Sequence, residues 1–333
     1  MLQRFAIAIL LASPLATSLT TSLAAAAVTT PAAEAAKPTI NVTGSVVTLG
    51  TRVAVYGETP SLLQPVRLEV ETAENGWQEV DRGVNILTKS YSFEAPGWYG
   101  THRLRVHASA TLLAPASVSD IRTVTVKTAY DPKGESSDWS WISHKGARWD
   151  PCSTITYRIN PTGGSAEAAA DIKAALRNVG RIMGFRYNYA GTTKSAVRRD
   201  EYGSHPPGTD LLIDWQRPGH DSGLSGKAAG RGGHWVLHGR RFDGYVVLNQ
   251  NLHLSRAMWR RVMAHEIGHV VGLGHAKSPS QVMHSGSALT STRWGAGDLA
   301  GLHRLGASRG CLERPSSLWG SGEAKRVSLP AGQ

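Results

Sequence analysis

Two textures of hydrophobic patterning divide the chain. Over residues 40–128 apolar and polar side chains alternate in short runs, and no stretch keeps a helical period. Val46, Val47 and Leu49 form one run, Val66, Leu68 and Val70 another, Leu104 and Val106 a third, and Val124 and Val126 a fourth. Turn signals separate them, among them Glu74, Asn75, Gly76 and Trp77, and the pair Pro96 and Gly97. Short strands at this spacing predict an all-β antiparallel sandwich. Residues 129–147 carry turn chemistry and read as a linker, with Trp139, Trp141 and Trp149 placed to pin it to the next domain.

From residue 148 the pattern becomes mixed and predicts an α+β domain over 148–313. Residues 154–160 read as a strand ended by Pro161. Ser165 can cap a helix on which Ile172, Leu176, Val179 and Met183 keep a helical spacing up to Gly184. Further strands are predicted at 185–189, at 210–215, and at Tyr245, Val246, Val247 and Leu248. Ser255 then opens a second helix that buries Met258, Val262, Ile267, Val270 and Val271. The tail 314–333 is rich in Gly, Ser and Pro and is expected to be loose.

The second helix carries the chemistry. Residues 265–275 read H-E-x-x-H-x-x-G-x-x-H. On a helix, His265 and His269 project from one face and can share a metal. Gly272 suits the left-handed turn that stops the helix, and that turn returns His275 as a third ligand. Three histidines leave one tetrahedral position open, which separates a catalytic zinc site from a closed structural one. Glu266 sits beside the first ligand, where it can take a proton from water.

Charge, cysteines and the N-terminus add context. Arg4, the apolar run 5–11, Pro14 and the alanines up to Ala27 predict a signal peptide over 1–27, followed by a flexible leader over 28–39. The apolar run is too short to span a bilayer, so a secreted, extracellular protein with no transmembrane segment is expected. In that setting Cys152 and Cys311 are expected to pair as a disulfide, the alternative being two free thiols. Closing a loop of about 160 residues would stabilise by about 4–5 kcal/mol. The net charge of +11 points to an anionic surface as a partner. The basic residues are scattered without interleaved aromatics, so no nucleic-acid partner is expected.

The motif resembles the zinc-binding run of the metzincin metalloproteases, and several flanks resemble the matrixin branch. Residues 149–159 are similar to the first strand of secreted bacterial matrixin-like proteases. Ser280, Gln281, Val282, Met283 and His284 resemble the Met-turn, and 294–305, with Asp298, Gly301 and Leu302, the closing helix. Ser285 stands where astacin-like and serralysin-like members carry a ligand tyrosine. Residues 44–53, Gly76, Trp77 and Gln78, and 123–126 resemble bacterial immunoglobulin-like modules without the antibody-type disulfide. Such a module is expected to act as a spacer.

The resemblance implies a zinc endopeptidase that cleaves protein or peptide substrates by a zinc-activated water, with Glu266 as general base; a monomer is expected. His265, His269 and His275 would hold one catalytic zinc, and Met283 would lie beneath it. Substrate would extend along an edge strand formed by Tyr245, Val246, Val247 and Leu248, and the loop 285–293 would wall the next pocket. His220, Asp221, His234 and His238 are candidates for the family's second zinc, but strand 245–248 lacks the expected histidine, so one zinc is expected; calcium stays open. No propeptide cysteine precedes the domain, so a cysteine switch is not available. Two other readings compete: a secreted surface-binding protein with an inert zinc domain, and a zinc amidase acting on cell-wall peptides.

Overall fold

The computed structural model describes residues 36–198, 201, 203–286 and 293–312. The signal peptide, most of the leader, the tail and residues 287–292 of the pocket loop lie outside the described residues.

The alternating segment folds as predicted into short strands: β1 (Asn41–Val42), β2 (Val46–Thr48), β3 (Ala54–Glu58), β4 (Val66–Thr72), β5 (Gly76–Gly83), β6 (Ser90–Glu94), β7 (Gly100–Ala108), β8 (Ser117–Val118) and β9 (Arg122–Lys127). They form two sheets, β1-β3-β6 and β2-β9-β7-β4-β5, with β8 against β7. All pairs are antiparallel except β2 with β9. Inward residues of both sheets, including Val55, Phe93, Leu68 and Leu104, share one core. The period-two pattern is the cause, since alternate side chains fall on one face.

The second half contains β10 (Thr154–Ile159), α1 (Ala168–Met183), β11 (Arg186–Thr192), β12 (Leu211–Gln216), β13 (Gly230–Leu237), β14 (Arg240–Asn249), α2 (Arg256–Val271) and α3 (Ala296–Leu305). Its sheet runs β11-β10-β12-β14-β13, parallel except for the β13–β14 hairpin. Helix α1 starts after Glu167 rather than at Ser165, and Gly184 ends it in the left-handed conformation as expected. Ile172, Leu176 and Val179 of α1 share a core with Ile159 and Ile213 of the sheet and with Ile267 and Val270 of α2.

The sheet module is packed against this half rather than tethered to it. The buried Trp98 shares a hydrophobic cluster with Ala307, Cys152 and Cys311. The disulfide Cys152–Cys311 closes with Cα atoms 5.4 Å apart. The fully buried Arg148 guanidinium donates to Glu74 at 2.7 Å and to the Gly310 carbonyl at 2.6 Å. Its burial pushes its pKa down to about 10. Arg309 pairs with the same Glu74, and the Cys311 N–H donates to Gln78.

Candidate metal centre

Helix α2 is capped at both ends by its own sequence. The Ser255 hydroxyl accepts the Met258 N–H, satisfying one of the donors that a helix start leaves open. Gly272 closes the other end at φ 119°, its N–H reaching Gly268 and His269. A side chain there would meet the buried Arg241 guanidinium as well as the backbone penalty. The chain then reverses, and Ala276 donates to the Met283 carbonyl at 3.0 Å. Met283 is buried with its sulfur against Gly268, in space that only a glycine leaves open.

This geometry brings His265, His269 and His275 together. Their ligating atoms lie within 4.8 Å of one another, and the ring centroids are 4.6, 4.9 and 5.3 Å apart. The Nδ1 atoms of His265 and His269 lie 2.8 Å from the carbonyls of Val282 and Leu273. A carbonyl can only accept, so these Nδ1 atoms carry the proton and leave Nε2 as a lone-pair donor, the tautomer a metal ligand needs. Burial pushes the pKa of His265 down to about 4 and that of His269 to about 3, and lowers that of His275. All three are therefore neutral near pH 7. A donor set of three neutral imidazoles, two of them with fixed tautomers, fits zinc.

Glu266 is buried beside the triad, and its burial pushes its pKa up to about 8, opposed by a hydrogen bond from the Gly232 backbone. Strand β13 comes this close because it is glycine-rich. A Cβ on Gly230 would stand 2.8 Å from the Glu266 side chain, and one on Gly232 would collide with the Glu266 carbonyl. The triad and Glu266 open onto a cleft of about 860 Å³. Leu252, Leu254, Met258 and Val262 line part of its wall, and Gly230, Arg231 and Gly232 its rim.

One wall of the cleft was not foreseen. Residues 138–142, read as linker, form a strap alongside the third histidine. Trp141 bridges Leu273, Ile142 donates to the Gly272 carbonyl, and Gly274 donates to the Ser140 carbonyl at 2.7 Å. The Ser140 hydroxyl donates to the His275 carbonyl at 2.8 Å. The Asp138 carboxylate accepts the Lys277 and Ser278 N–H groups, both at 2.8 Å. Trp139 and Trp141 do pin the segment, packing on the core as the aromatic content suggested.

The structure corrects one expectation. Strand β14, which contains Tyr245, Val246, Val247 and Leu248, is hydrogen-bonded to β12 on one side and β13 on the other, so it is not an edge. Among the described residues the sheet has two edges, β11 and β13, and β13 is the one that borders the cleft. Its glycines disguised it, because they break the alternating pattern that marks a strand. The residues singled out for a second zinc, His220, Asp221, His234 and His238, do not come together as a ligand group. Among the described residues the histidine triad alone gathers three or more potential ligands. His220 and Asp221 lie exposed, while His234 turns Nδ1 to the His269 carbonyl at 3.0 Å.

Among the described residues no helix is long and apolar enough to cross a membrane. No curated protein matches the chain. The family model described as Matrixin matches residues 148–302, the stretch that holds the sheet, the motif helix, the triad and most of α3. That stretch is a matrixin-like metzincin domain, and it makes the chain a zinc metalloendopeptidase.

Proposed function

We propose that the chain is a secreted endopeptidase in which His265, His269 and His275 hold the catalytic zinc and Glu266 acts as general base. The observation that carries this reading is the convergence of three imidazoles beside one buried carboxylate, with two of the rings locked in the ligand tautomer. Zinc bound there would polarise the scissile carbonyl and acidify an attacking water. Glu266 takes the proton from that water in its carboxylate form, which the charge of a bound dication would favour against the burial that raises its pKa, and passes it to the departing amine nitrogen. Gly230, Arg231 and Gly232 offer the backbone of an edge strand on the cleft rim, which suits an extended peptide added to the sheet. The apolar wall of Leu252, Leu254, Met258 and Val262 favours an apolar side chain next to the scissile bond. Met283 supports the helix from behind through its packing on Gly268.

Export is supported by the Cys152–Cys311 disulfide and the signal-like N-terminus. We read the N-terminal module as immunoglobulin-like, on the two sheets that share one core. Casein hydrolysis by wild type, by Glu266→Gln and by a chelated sample tests the function. Activity in wild type alone, with one zinc retained in Glu266→Gln, is expected. Undiminished activity in that variant would sink the assigned base.

A further inference from the structure

The N-terminal module has two poles of opposite character. One, formed by the β4–β5 turn and the β6–β7 loop, is locked to the catalytic half through Glu74, Gln78 and Trp98. The other is built from loops 59–65, 84–89 and 109–116. Strand register brings these together: Val66 pairs with both Gly83 and Ala108, and Glu58 pairs with Ser90. Each loop carries an adjacent pair of exposed aliphatic side chains: Leu62 and Leu63, Ile86 and Leu87, Leu112 and Leu113. Leu87 is 84% exposed and Leu112 fully so. Clustered exposure of this kind marks an interaction site rather than ordinary surface scatter.

The loops are constructed to hold these side chains outward. Asn85 Oδ1 accepts the Leu87 and Thr88 N–H groups, and the Thr111 hydroxyl accepts those of Leu113 and Ala114. Gln64 donates to the Ser109 and Pro115 carbonyls and so ties two loops together. Leu63 keeps φ at 59°, a conformation that costs a leucine energy. These hydrogen bonds satisfy four N–H groups and two carbonyls of the loops, which lowers the cost of moving them out of water at an interface. Across the three loops the one charged residue is Lys89, and no carboxylate occurs.

Composition selects the partner. Binding hot spots on proteins centre on Trp, Tyr and Arg, with Leu, Ser, Thr and Val under-represented. These loops have the reverse make-up, with no aromatic residue at all. Hydrocarbon accepts aliphatic side chains in any orientation, and a net charge of +11 draws the chain toward anionic headgroups. We propose that this pole inserts into an anionic lipid bilayer and holds the enzyme at its surface. Insertion of this kind would be independent of the peptidase chemistry.

Vesicle sedimentation tests it, using the chain from Val28 so that the apolar N-terminus cannot contribute. Vesicles of phosphatidylcholine alone are compared with vesicles containing about 30% phosphatidylglycerol. Wild type is expected to pellet with the anionic vesicles, and Leu87→Ser/Leu112→Ser/Leu113→Ser to partition about tenfold less or weaker still. Leu112→Ser alone, at a fully exposed site, should move the same way by less. Casein hydrolysis and Tm should stay unchanged in both. Wild type remaining in the supernatant would overturn the proposal. So would a triple variant that pellets like wild type, which would leave charge alone as the cause. A wild-type dimer dispersed by these substitutions, without vesicle binding, would replace the bilayer by a second copy.

Discussion

The histidine triad is assembled from two sides that are built differently. His265 and His269 ride one helix, so their spacing follows from helix geometry and needs only neighbouring sequence. His275 lies past the Gly272 turn, and its backbone is held by Ser140, 135 positions earlier in the chain. Asp138 fixes the next turn across 139 positions. One half of the centre is local and self-sufficient. The other half is held by a distant segment as well as by its own turn.

Substitutions can break or sharpen this contrast. The largest effect is expected on the local side: His269→Ala should abolish zinc retention and lower casein hydrolysis by about a thousandfold or more. Metal analysis of the purified variant, alongside the rate, checks it. Gly232→Ala should come next, because the added methyl collides with the Glu266 backbone. Overpacking of this kind costs about 1–3 kcal/mol, so a Tm several degrees lower should accompany a reduced rate.

On the non-local side the effect should be graded. Asp138→Ala is expected to weaken zinc binding by about tenfold, as loss of a support behind a ligand typically does. Chelator competition reads this directly, and wild-type retention would mean that the turn holds His275 unaided. The smallest effect belongs to the far end of α2, where Arg256 and Arg260 grip Asp171 of α1. The Arg256 hydrogen bond, then that from Arg260, holds the Asp171 carboxyl below the usual range against the cost of its burial. A lowered carboxyl stabilises above its unfolded pKa, and that contribution is lost as pH falls through the folded value. Asp171→Asn should therefore lower Tm by about a few degrees near pH 7, since the partner arginines are half exposed. The gap from wild type should close below about pH 4.

The same contrast explains how much could be read in advance. The motif helix, its caps, the triad, Glu266 and the Met283 turn were all legible, because each rests on spacing within one or two turns of chain. The β-rich first half was legible as strands for the same reason. Strand β13 was missed because Gly230, Gly232 and Gly233, needed for close approach to α2 and to Tyr245, erase the strand pattern. Strand β14 was then mistaken for the edge. The strap was misread as linker because its hydrogen bonds join backbone to backbone and to short polar side chains, which look the same in any loop.

The strap also bears on where this enzyme can be cut. The stretch that matches the matrixin family begins at residue 148, ten positions after Asp138. A catalytic fragment trimmed to that boundary would keep every metal ligand and lose the hands that steady one of them. Recombination that exchanged the N-terminal module at the same boundary would meet the same penalty. A graft that keeps these contacts carries residues 138–147 with the peptidase, so the segment that resembles a hinge travels with the metal centre.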